Sequence, residues 1–284
     1  MSDPKFDIVA DGFSFLECPR WHGDRLWMSD MVGGAIYTMT AAGTVEKVID
    51  FPSRPAGLTF LSDDTLVMAS MKERALYRLD QTRQLKPYAD LSTLATGPLN
   101  DSVIDRHGNI FVGHFGFDME GGEAPKPASV IKVDAKGEAF VAADEMMFPN
   151  GSVITPDGKT LICAETFANR LTAFDLAADG TLSGRRVWAD LGEEMPDGIC
   201  LDASGAIWVS SIGPGVFLRV AEGGEILQRI RPNAKRAVAC CLGGKNGQTL
   251  FAMTFEGELE DIWSGIKAAQ IETIRVDVPG AQFN

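Results

Sequence analysis

The chain of 284 residues is 45% hydrophobic and 23% charged, which is typical of a globular protein that forms one large domain or two ordinary ones. Its formal net charge of −13 disfavours a nucleic-acid partner, because phosphate backbones repel acidic surfaces. No apolar run approaches the ~20 residues that a membrane helix needs, so no membrane association is expected.

The amino terminus, Met-Ser-Asp-Pro-Lys-Phe-Asp, lacks the basic and apolar regions of a signal peptide, and a cytoplasmic location is therefore expected. The spacing of the five cysteines matches no zinc module, which favours buried thiols in a reducing compartment. With only three histidines in the chain, a site built on several imidazoles is not expected.

A local pattern returns six times along the chain: a start residue, an apolar strand, a Gly or Asp turn and a second apolar strand. Successive start residues, here called the slot residues, are 39, 44, 50, 47 and 42 positions apart. This spacing is close to the ~40–50 residues of a four-stranded propeller blade. The slot residues are Glu17, Ala56, Asn100, Asn150, Asp197 and Ala239.

The remaining elements of each repeat follow in order. Second strands are predicted at Leu26-Trp-Met-Ser, Thr65-Leu-Val-Met-Ala, Ile110-Phe-Val-Gly, Leu161-Ile-Cys-Ala, Ile207-Trp-Val-Ser and Leu250-Phe-Ala-Met. Third and fourth strands follow, as in Ala35-Ile-Tyr-Thr-Met and Val45-Glu-Lys-Val-Ile, and long helices are absent. Residues 115–128 form one obvious Gly- and Pro-rich insertion, either functional or a surface excursion.

These elements predict an all-β fold, a six-bladed β-propeller with four antiparallel strands per blade. Phe6-Asp-Ile-Val-Ala is expected to add a strand to the last blade, which includes Ile271-Glu-Thr-Ile-Arg-Val, and so to close the ring. Residues 1–284 are accordingly expected to form a single domain.

The slot residues should ring one mouth of the central channel, because the first strand of a propeller blade lies innermost. Four of the six are polar, although Asn and Asp are disfavoured in strands. Asx turns at Asn150-Gly151 and Asp197-Gly198 are one explanation. Turns explain neither Glu17 nor the shared register, so a binding site is the preferred interpretation.

Two carboxylates and amide oxygens suit one divalent cation, Ca²⁺, Mg²⁺ or Mn²⁺, whereas Zn²⁺ more usually recruits Cys or His. Calcium is favoured, and Glu17, Asn150 and Asp197 are the expected ligands. Three or four protein ligands leave positions for water and substrate, as in a catalytic site. Asn100 is expected to bind substrate or a metal-bound water, and Asp101 beside it is also assigned to substrate binding.

The ends of the second strands should return to the same mouth and form the pocket wall. Those end residues are Asp30, Ser70, His114, Glu165 and Ser211. His114 is expected either as a second acid or base or as a polar lining residue. Glu165 is expected to bind substrate or to pair with Arg170.

Four aromatic residues lie close in sequence to this mouth. Phe115 is assigned to substrate binding, and with Phe117, Phe148 and Phe167 it forms either an apolar pocket or part of the core.

Several segments resemble the regucalcin/gluconolactonase family, also called the senescence-marker-protein family, over nearly the whole chain. They are Leu16-Glu-Cys-Pro-Arg-Trp21, Asn100-Asp101, Phe148-Pro-Asn-Gly151 with Pro156-Asp-Gly158, and Pro196-Asp-Gly198. The resemblance implies a six-bladed propeller that hydrolyses lactones, with one divalent cation held by Glu17, Asn150 and Asp197. It also implies substrate contact by Asn100 and a general-base role for Asp197.

One position departs from the family pattern. Sugar-lactone hydrolases of this family often carry an Arg two residues before the Asn, where this chain has Pro98. Without that guanidinium, hydrogen bonding to a polyhydroxylated substrate is weakened. The resemblance therefore supports a lactone more than gluconolactone itself.

The function expected from the sequence is that of a metal-dependent lactonase acting on a small-molecule substrate by water attack on a metal-polarised carbonyl. Hydrolysis of phosphotriesters at the same cation is one alternative. A non-catalytic propeller that binds calcium or a partner is another. No nucleotide-binding loop or serine-hydrolase elbow occurs, and the pattern says nothing about oligomeric state.

Overall fold

The computed structural model describes residues 5–80 and 82–281, which contain 24 strands and two short 3₁₀ helices. The first twelve strands in chain order are β1 Asp7–Phe13, β2 Leu16–His22, β3 Arg25–Asp30, β4 Ala35–Thr40, β5 Val45–Asp50, β6 Pro55–Phe60, β7 Leu66–Ser70, β8 Ala75–Leu79, β9 Leu85–Asp90, β10 Leu99–Ile104, β11 Ile110–His114 and β12 Ala128–Val133. The other twelve are β13 Ala139–Met146, β14 Pro149–Ile154, β15 Thr160–Glu165, β16 Arg170–Leu176, β17 Leu182–Asp190, β18 Pro196–Leu201, β19 Ile207–Ser211, β20 Val216–Val220, β21 Ile226–Ile230, β22 Arg236–Gly243, β23 Thr249–Phe255 and β24 Ala269–Arg275. The helices are η1 Thr166–Ala168 and η2 Leu259–Ser264.

The strands form six antiparallel sheets of four strands each, and each sheet is one blade. Blades 1 to 5 are β2–β5, β6–β9, β10–β13, β14–β17 and β18–β21, each in chain order. Blade 6 consists of β22, β23 and β24, with β1 paired to β24 as its outermost strand. The predicted closure by the N-terminal strand is confirmed.

The first strand of each blade is its inner strand. Inner strands of neighbouring blades contact one another in the order β2, β6, β10, β14, β18 and β22, and β22 contacts β2 again. This closed circle confirms the six-bladed propeller. Among the described residues, no helix is long and apolar enough to cross a membrane.

Burial falls from the inner to the outer strands of a blade. In β7 and β11 every residue is buried, whereas the outer strands β5 and β21 are mostly exposed or half-buried. Apolar side chains therefore pack between adjacent blades: one cluster joins blades 4 and 5, and others join blades 3 and 4, 5 and 6, and 1 and 2. Each fully buried Leu or Phe contributes ~1.5–3 kcal/mol to these layers.

The cysteines belong to these layers. All five are free, four of them are buried and Cys200 is half-buried. Burial raises the pKa of Cys163 to about 12, which keeps that thiol protonated and unreactive.

A β-bulge follows the slot residue in five of the inner strands. In β14, for example, Pro149 pairs with Glu165, and the next pair is Ser152 with Cys163. The same interruption occurs in β2, β6, β10 and β18. A bulge turns a side chain away from the regular alternation of a strand, and here it re-aims the slot residue at the mouth of the channel.

Glycine follows the slot residue where inner strands pass closest to one another. A Cβ atom on Gly151 would lie 2.6 Å from the Ile199 nitrogen, and one on Gly198 would lie 2.5 Å from the Ala239 Cβ. Both glycines lie inside strands, so the alternative of Asx turns at Asn150-Gly151 and Asp197-Gly198 is wrong. Close packing around the axis, not a reversal of the chain, requires glycine here.

Two insertions interrupt the regular hairpins. Residues 115–127 connect β11 to β12, in agreement with the insertion expected from the sequence. A second insertion, residues 256–268 between β23 and β24, contains η2 and was not anticipated. Both insertions reach the mouth that carries the slot residues, because residues of each line the same cavity there.

Replacement of Gly151 by Ala should destabilise the protein by about 3 kcal/mol or more, because the added methyl group meets backbone atoms that cannot move independently. Urea denaturation would measure the loss. Gly43→Ala is the control: its Cβ faces open space at a φ of 87°, so it should lose only the ~1–2 kcal/mol of a left-handed backbone. Equal losses in the two variants would contradict the close-packing argument.

Candidate functional site

The four polar slot residues come together in one cavity of about 120 Å³ at the mouth of the channel. Glu17, Asn100, Asn150 and Asp197 each occupy the second position of an inner strand. Their exposed fractions are 7%, 6%, 5% and 3%, so all four side chains are withdrawn from bulk solvent. Ala56 and Ala239 hold equivalent positions but contribute no wall to this cavity.

Hydrogen bonds fix the two amides of the site. The Asn100 Nδ2 donates to the Pro149 carbonyl oxygen at 3.1 Å, and the Asn150 Nδ2 donates to the Thr166 Oγ1 at 3.2 Å. Thr166 in turn donates to the Pro196 carbonyl oxygen at 2.7 Å. Asn100 is therefore held directly by the following blade, whereas Asn150 is held by Thr166 of its own blade, which in turn bonds to the following blade.

Two buried oxygens of the site have no hydrogen-bond partner. They are Oδ1 of Asn150 and Oδ1 of Asp197. An unpaired polar atom in the interior costs about 1–3 kcal/mol and is uncommon in native proteins. Both residues line the same cavity, and a cation or a hydrogen-bond donor bound there would pair with these oxygens.

Burial disfavours the charged forms of both carboxyl groups. It raises the pKa of Asp197 to about 8, and the charge of Asp101 adds to this effect. Burial, followed by the charge of Asp197, also holds the pKa of Glu17 well above its usual range. Without a cation, the two carboxylates are therefore not both ionised at neutral pH.

The donor set fits one hard divalent cation. Glu17 and Asp197 supply carboxylate oxygens, and Asn150 supplies an amide oxygen that lacks a partner. Such oxygens are the usual ligands of Ca²⁺. No group of three or more His, Cys, Asp and Glu side chains suited to a metal occurs in residues 5–80 and 82–281, so any site here depends on the amide.

Apart from Thr166, the rest of the wall is apolar, and we call this space the apolar cavity. Phe115 and Phe148 stack with centroids 4.3 Å apart, and Phe167 lies 4.8 Å from Phe148. Phe117 packs behind Phe148 and Phe167 without lining the cavity. The other apolar wall residues are Phe15, Met31, Met119, Met195, Ile212, Leu259, Ile262 and Trp263.

Asp101 lies beside the cavity but not in its wall. Its Oδ1 accepts a 2.6 Å hydrogen bond from the Arg20 Nη2 and a 2.7 Å bond from the Ser102 nitrogen. This ion pair joins the inner strands of blades 1 and 3, with Asp101 buried and Arg20 half-buried. The structure does not bring Asp101 to the substrate side, and its carboxylate acts on the site through its charge.

The residues that end the second strands also do not line the cavity; they bind the segment that precedes the inner strand. Asp30 accepts from the Ser14 and Phe15 nitrogens at 3.0 and 2.9 Å. Glu165 accepts from the Met147 nitrogen at 2.7 Å and pairs with Arg170 at 2.8 Å. In the same way, the Ser211 Oγ accepts from the Met195 nitrogen at 3.1 Å. Glu165 thus forms the expected pair with Arg170 and does not line the cavity.

His114 instead binds the insertion that follows its own strand. Its Nδ1 accepts from the Gly116 nitrogen at 3.1 Å, and its Nε2 lies 2.9 Å from the Ser129 Oγ. Burial, with a smaller effect of the Arg74 charge, lowers the pKa of His114 to about 4, so the ring is neutral at physiological pH. His114 therefore anchors both ends of the insertion and does not face the apolar cavity.

The family model that matches this chain is described as the SMP-30/Gluconolactonase/LRE-like region, and the match covers residues 15–256. The chain belongs to this family. The resemblance found in the sequence is confirmed, and the matched range contains all six slot residues.

Members of the family are similar to the chain over most of its length. A 6-deoxy-6-sulfogluconolactonase of Pseudomonas putida is 24% identical over 93% of this chain and 92% of its own. Regucalcin of Danio rerio is 27% identical, and that match covers 60% of this chain and 58% of the relative's length. A solved structure of a calcium-binding protein, regucalcin, from Agrobacterium tumefaciens shares the fold with a TM-score of 0.81 at 22% identity, covering 99% and 98% of the two chains.

Sequence reasoning missed at least three groups of wall residues in this family member, and one of them, Met31, Thr166 and Ile212, comes directly after the second strands. Phe15, Phe148 and Met195 stand two positions before Glu17, Asn150 and Asp197. Only Phe148 was considered as a wall residue, although the shared position two residues before a polar slot residue would have predicted all three. Leu259, Ile262 and Trp263 belong to η2, and no repeat position corresponds to them.

The raised pKa of Asp197 predicts a pH-dependent effect of Asp197→Asn on stability in metal-free protein. The folded state binds a proton more tightly than the unfolded state, so wild-type stability falls as pH rises from about 4 towards about 8. Because Asn is neutral at every pH, the variant lacks this loss. Its free energy of unfolding relative to wild type should therefore rise by on the order of 1 kcal/mol or more between pH 5 and pH 9. Urea denaturation after removal of cations would measure the gain.

Asp157→Asn is the control for this measurement, since Asp157 is exposed and hydrogen bonds lower its pKa. Its stability relative to wild type should not rise with pH. A similar rise in both variants would contradict the burial effect at Asp197.

Proposed function

We propose that this protein is a divalent-metal-dependent hydrolase that opens a small lactone by attack of water on the ring carbonyl. The observation that carries the proposal is the pair of unpaired buried oxygens, on Asn150 and Asp197, at the floor of an apolar cavity beside Glu17. Relatives named as lactonases, including a pentonolactonase of Haloferax volcanii, support the same reaction class.

Glu17, Asn150 and Asp197 would hold the cation. A bound divalent cation supplies Lewis-acid polarisation of the lactone carbonyl. Calcium is favoured because carboxylate and amide oxygens are its usual ligands. The solved structure of a regucalcin described as calcium-binding supports this choice.

Two side chains would handle the water and the substrate. Asp197 takes a proton from the attacking water. This residue is 3% exposed and lines the cavity, so water reaches its carboxylate only through the cavity. Asn100 orients the substrate, since its amide is already fixed by the Pro149 carbonyl oxygen. The proton taken by Asp197 then passes to the ring oxygen that leaves, which gives a hydroxy acid.

The wall favours a small lactone with apolar substituents over a polyhydroxylated one. Phe115, Phe148 and Phe167 offer no hydrogen-bonding atoms, and Pro98 carries no donor. These apolar side chains also reduce the water around a bound lactone, which strengthens electrostatic interactions at the carbonyl.

The same apolar wall would also accept a phosphotriester, whose phosphoryl oxygen could take the place of the carbonyl oxygen. A panel of aliphatic γ-lactones, sugar lactones and phosphotriesters would separate the activities. Binding of calcium with no turnover in the whole panel would favour the non-catalytic alternative.

Asp197→Ala should reduce kcat/KM for the best lactone by ~10³-fold or more, because the variant lacks both the base and a ligand. Circular dichroism should show that the fold is retained. Asp144→Ala, on the exposed face of β13, is the matched control and should keep wild-type rates. Full activity of Asp197→Ala would reject the proposal.

Removal of the cation on a chelating resin should abolish turnover, and addition of Ca²⁺ should restore it. Calcium should also raise the melting temperature, and it should do so more at pH 8.5 than at pH 6, because binding must displace protons from Asp197 and Glu17. Glu17→Gln should weaken binding measured by calorimetry. Undiminished turnover in the cation-free protein would contradict metal dependence.

A further inference from the structure

A second cavity of about 330 Å³ lies next to the apolar cavity and shares Phe115 and Trp263 with it. Residues 115–120 separate the two: Met119 lines the apolar cavity, whereas Glu120 lines the second one. We call the second space the cationic cavity, because three basic side chains line it in a chain of net charge −13. These side chains are Arg54, Lys72 and Arg74.

The positive charge is only partly compensated. Arg54 donates two hydrogen bonds to Glu120, at 2.6 and 2.9 Å, and Asp118, the other carboxylate of this cavity, accepts from the Gly121 nitrogen at 2.9 Å. Arg74 donates to the Ala95 carbonyl oxygen at 3.0 Å. Within residues 5–80 and 82–281, neither Lys72 nor Arg74 forms an ion pair.

Arg54 occupies a repeat position that faces the mouth. It stands two residues before the slot residue Ala56, as Phe148 and Met195 stand before theirs, and those two line the apolar cavity. The next blade has Pro98 at this position, in the wall of the cationic cavity beside Arg54. Blade 2 thus places a guanidinium, paired with Glu120 and held 4.7 Å over the Trp263 ring, next to the position where blade 3 has Pro98.

Arg74 has a left-handed backbone conformation, which is unfavourable for residues other than glycine. Its φ is 55°, at the turn before the third strand where other blades have Gly34, Asn169 and Gly215. A left-handed conformation costs a residue with a Cβ about 1–2 kcal/mol. At this position blade 2 carries a guanidinium that lines the cationic cavity.

We propose that the cationic cavity binds an oxyanion substituent of the substrate, a carboxylate or a phosphate monoester, while the lactone ring occupies the apolar cavity. This inference rests on the proposed lactonase function and names the class of substrate. A guanidinium binds either oxyanion through two parallel hydrogen bonds, and an ammonium group adds a point charge. Local positive potential on an acidic protein also directs an anionic substrate to this mouth.

The test compares γ-butyrolactones that differ only in the end of one side chain: a carboxylate, its methyl ester and a phosphate monoester. The readout is the ratio of kcat/KM for each anionic lactone to that for the neutral ester. Wild type should favour at least one anion tenfold or more, and the two anionic probes show which oxyanion is preferred. Lys72→Glu should reduce that ratio at least tenfold.

Lys159→Glu is the matched control, because this substitution changes the net charge by the same amount as Lys72→Glu. Lys159 is exposed in the turn between β14 and β15, at the opposite mouth of the channel. This variant should keep the wild-type ratio. A wild-type ratio near one, or the same ratio in Lys72→Glu as in wild type, would overturn the inference.

Failure of the proposed function itself would be recognised separately, by the absence of turnover with every lactone. In that case, calorimetric titration of cation-free protein with glutarate and inorganic phosphate tests the cationic cavity directly. Binding of either anion that is lost in Lys72→Glu and retained in Lys159→Glu supports the anion site. No binding of either anion to wild type overturns it.

Discussion

The close approach of the inner strands around the channel axis is the constraint on which the rest of the structure depends. At Gly57, Gly151 and Gly198, the neighbouring strand leaves no room for a Cβ atom. The bulge beside each of these glycines lets the strands pass and at the same time turns the preceding residue towards the mouth. One packing solution, repeated around the ring, thus creates both a tight centre and a set of inward-facing side chains.

In that arrangement, the contacts that stabilise the fold lie between the blades, and the candidate site lies at the axis. Apolar layers between blades, built from residues such as Trp208, Phe111 and Phe217, supply the free energy of folding. The residues at the axis reduce the free energy of folding, because Asn150 and Asp197 each bury an oxygen there without a hydrogen-bond partner. A fold with less apolar burial could not sustain such a cost, and a ligand that pairs these oxygens would recover part of it.

The periodicity of the sequence was sufficient to place four slot residues in one cavity, since equivalent positions of a ring must converge. It failed for Asp30 and Glu165, which bind backbone N–H groups upstream of the inner strand. Strand alternation predicts which face a residue occupies, but it does not say whether a nearby loop will use its oxygens. Trp263 was missed for a different reason: the insertion that carries it belongs to one blade only, so no repeat register points to it.

The pairing of β1 with β24 has a consequence for how the molecule reaches its native state. Blade 6 joins a strand at Asp7–Phe13 to one at Ala269–Arg275, so its last hydrogen-bonded ladder spans almost the entire polypeptide. During synthesis, β1 must wait until five other blades have emerged from the ribosome, with its edge unsatisfied meanwhile. Assembly of the ring is consequently a late and slow event, governed by contacts that are remote in the chain.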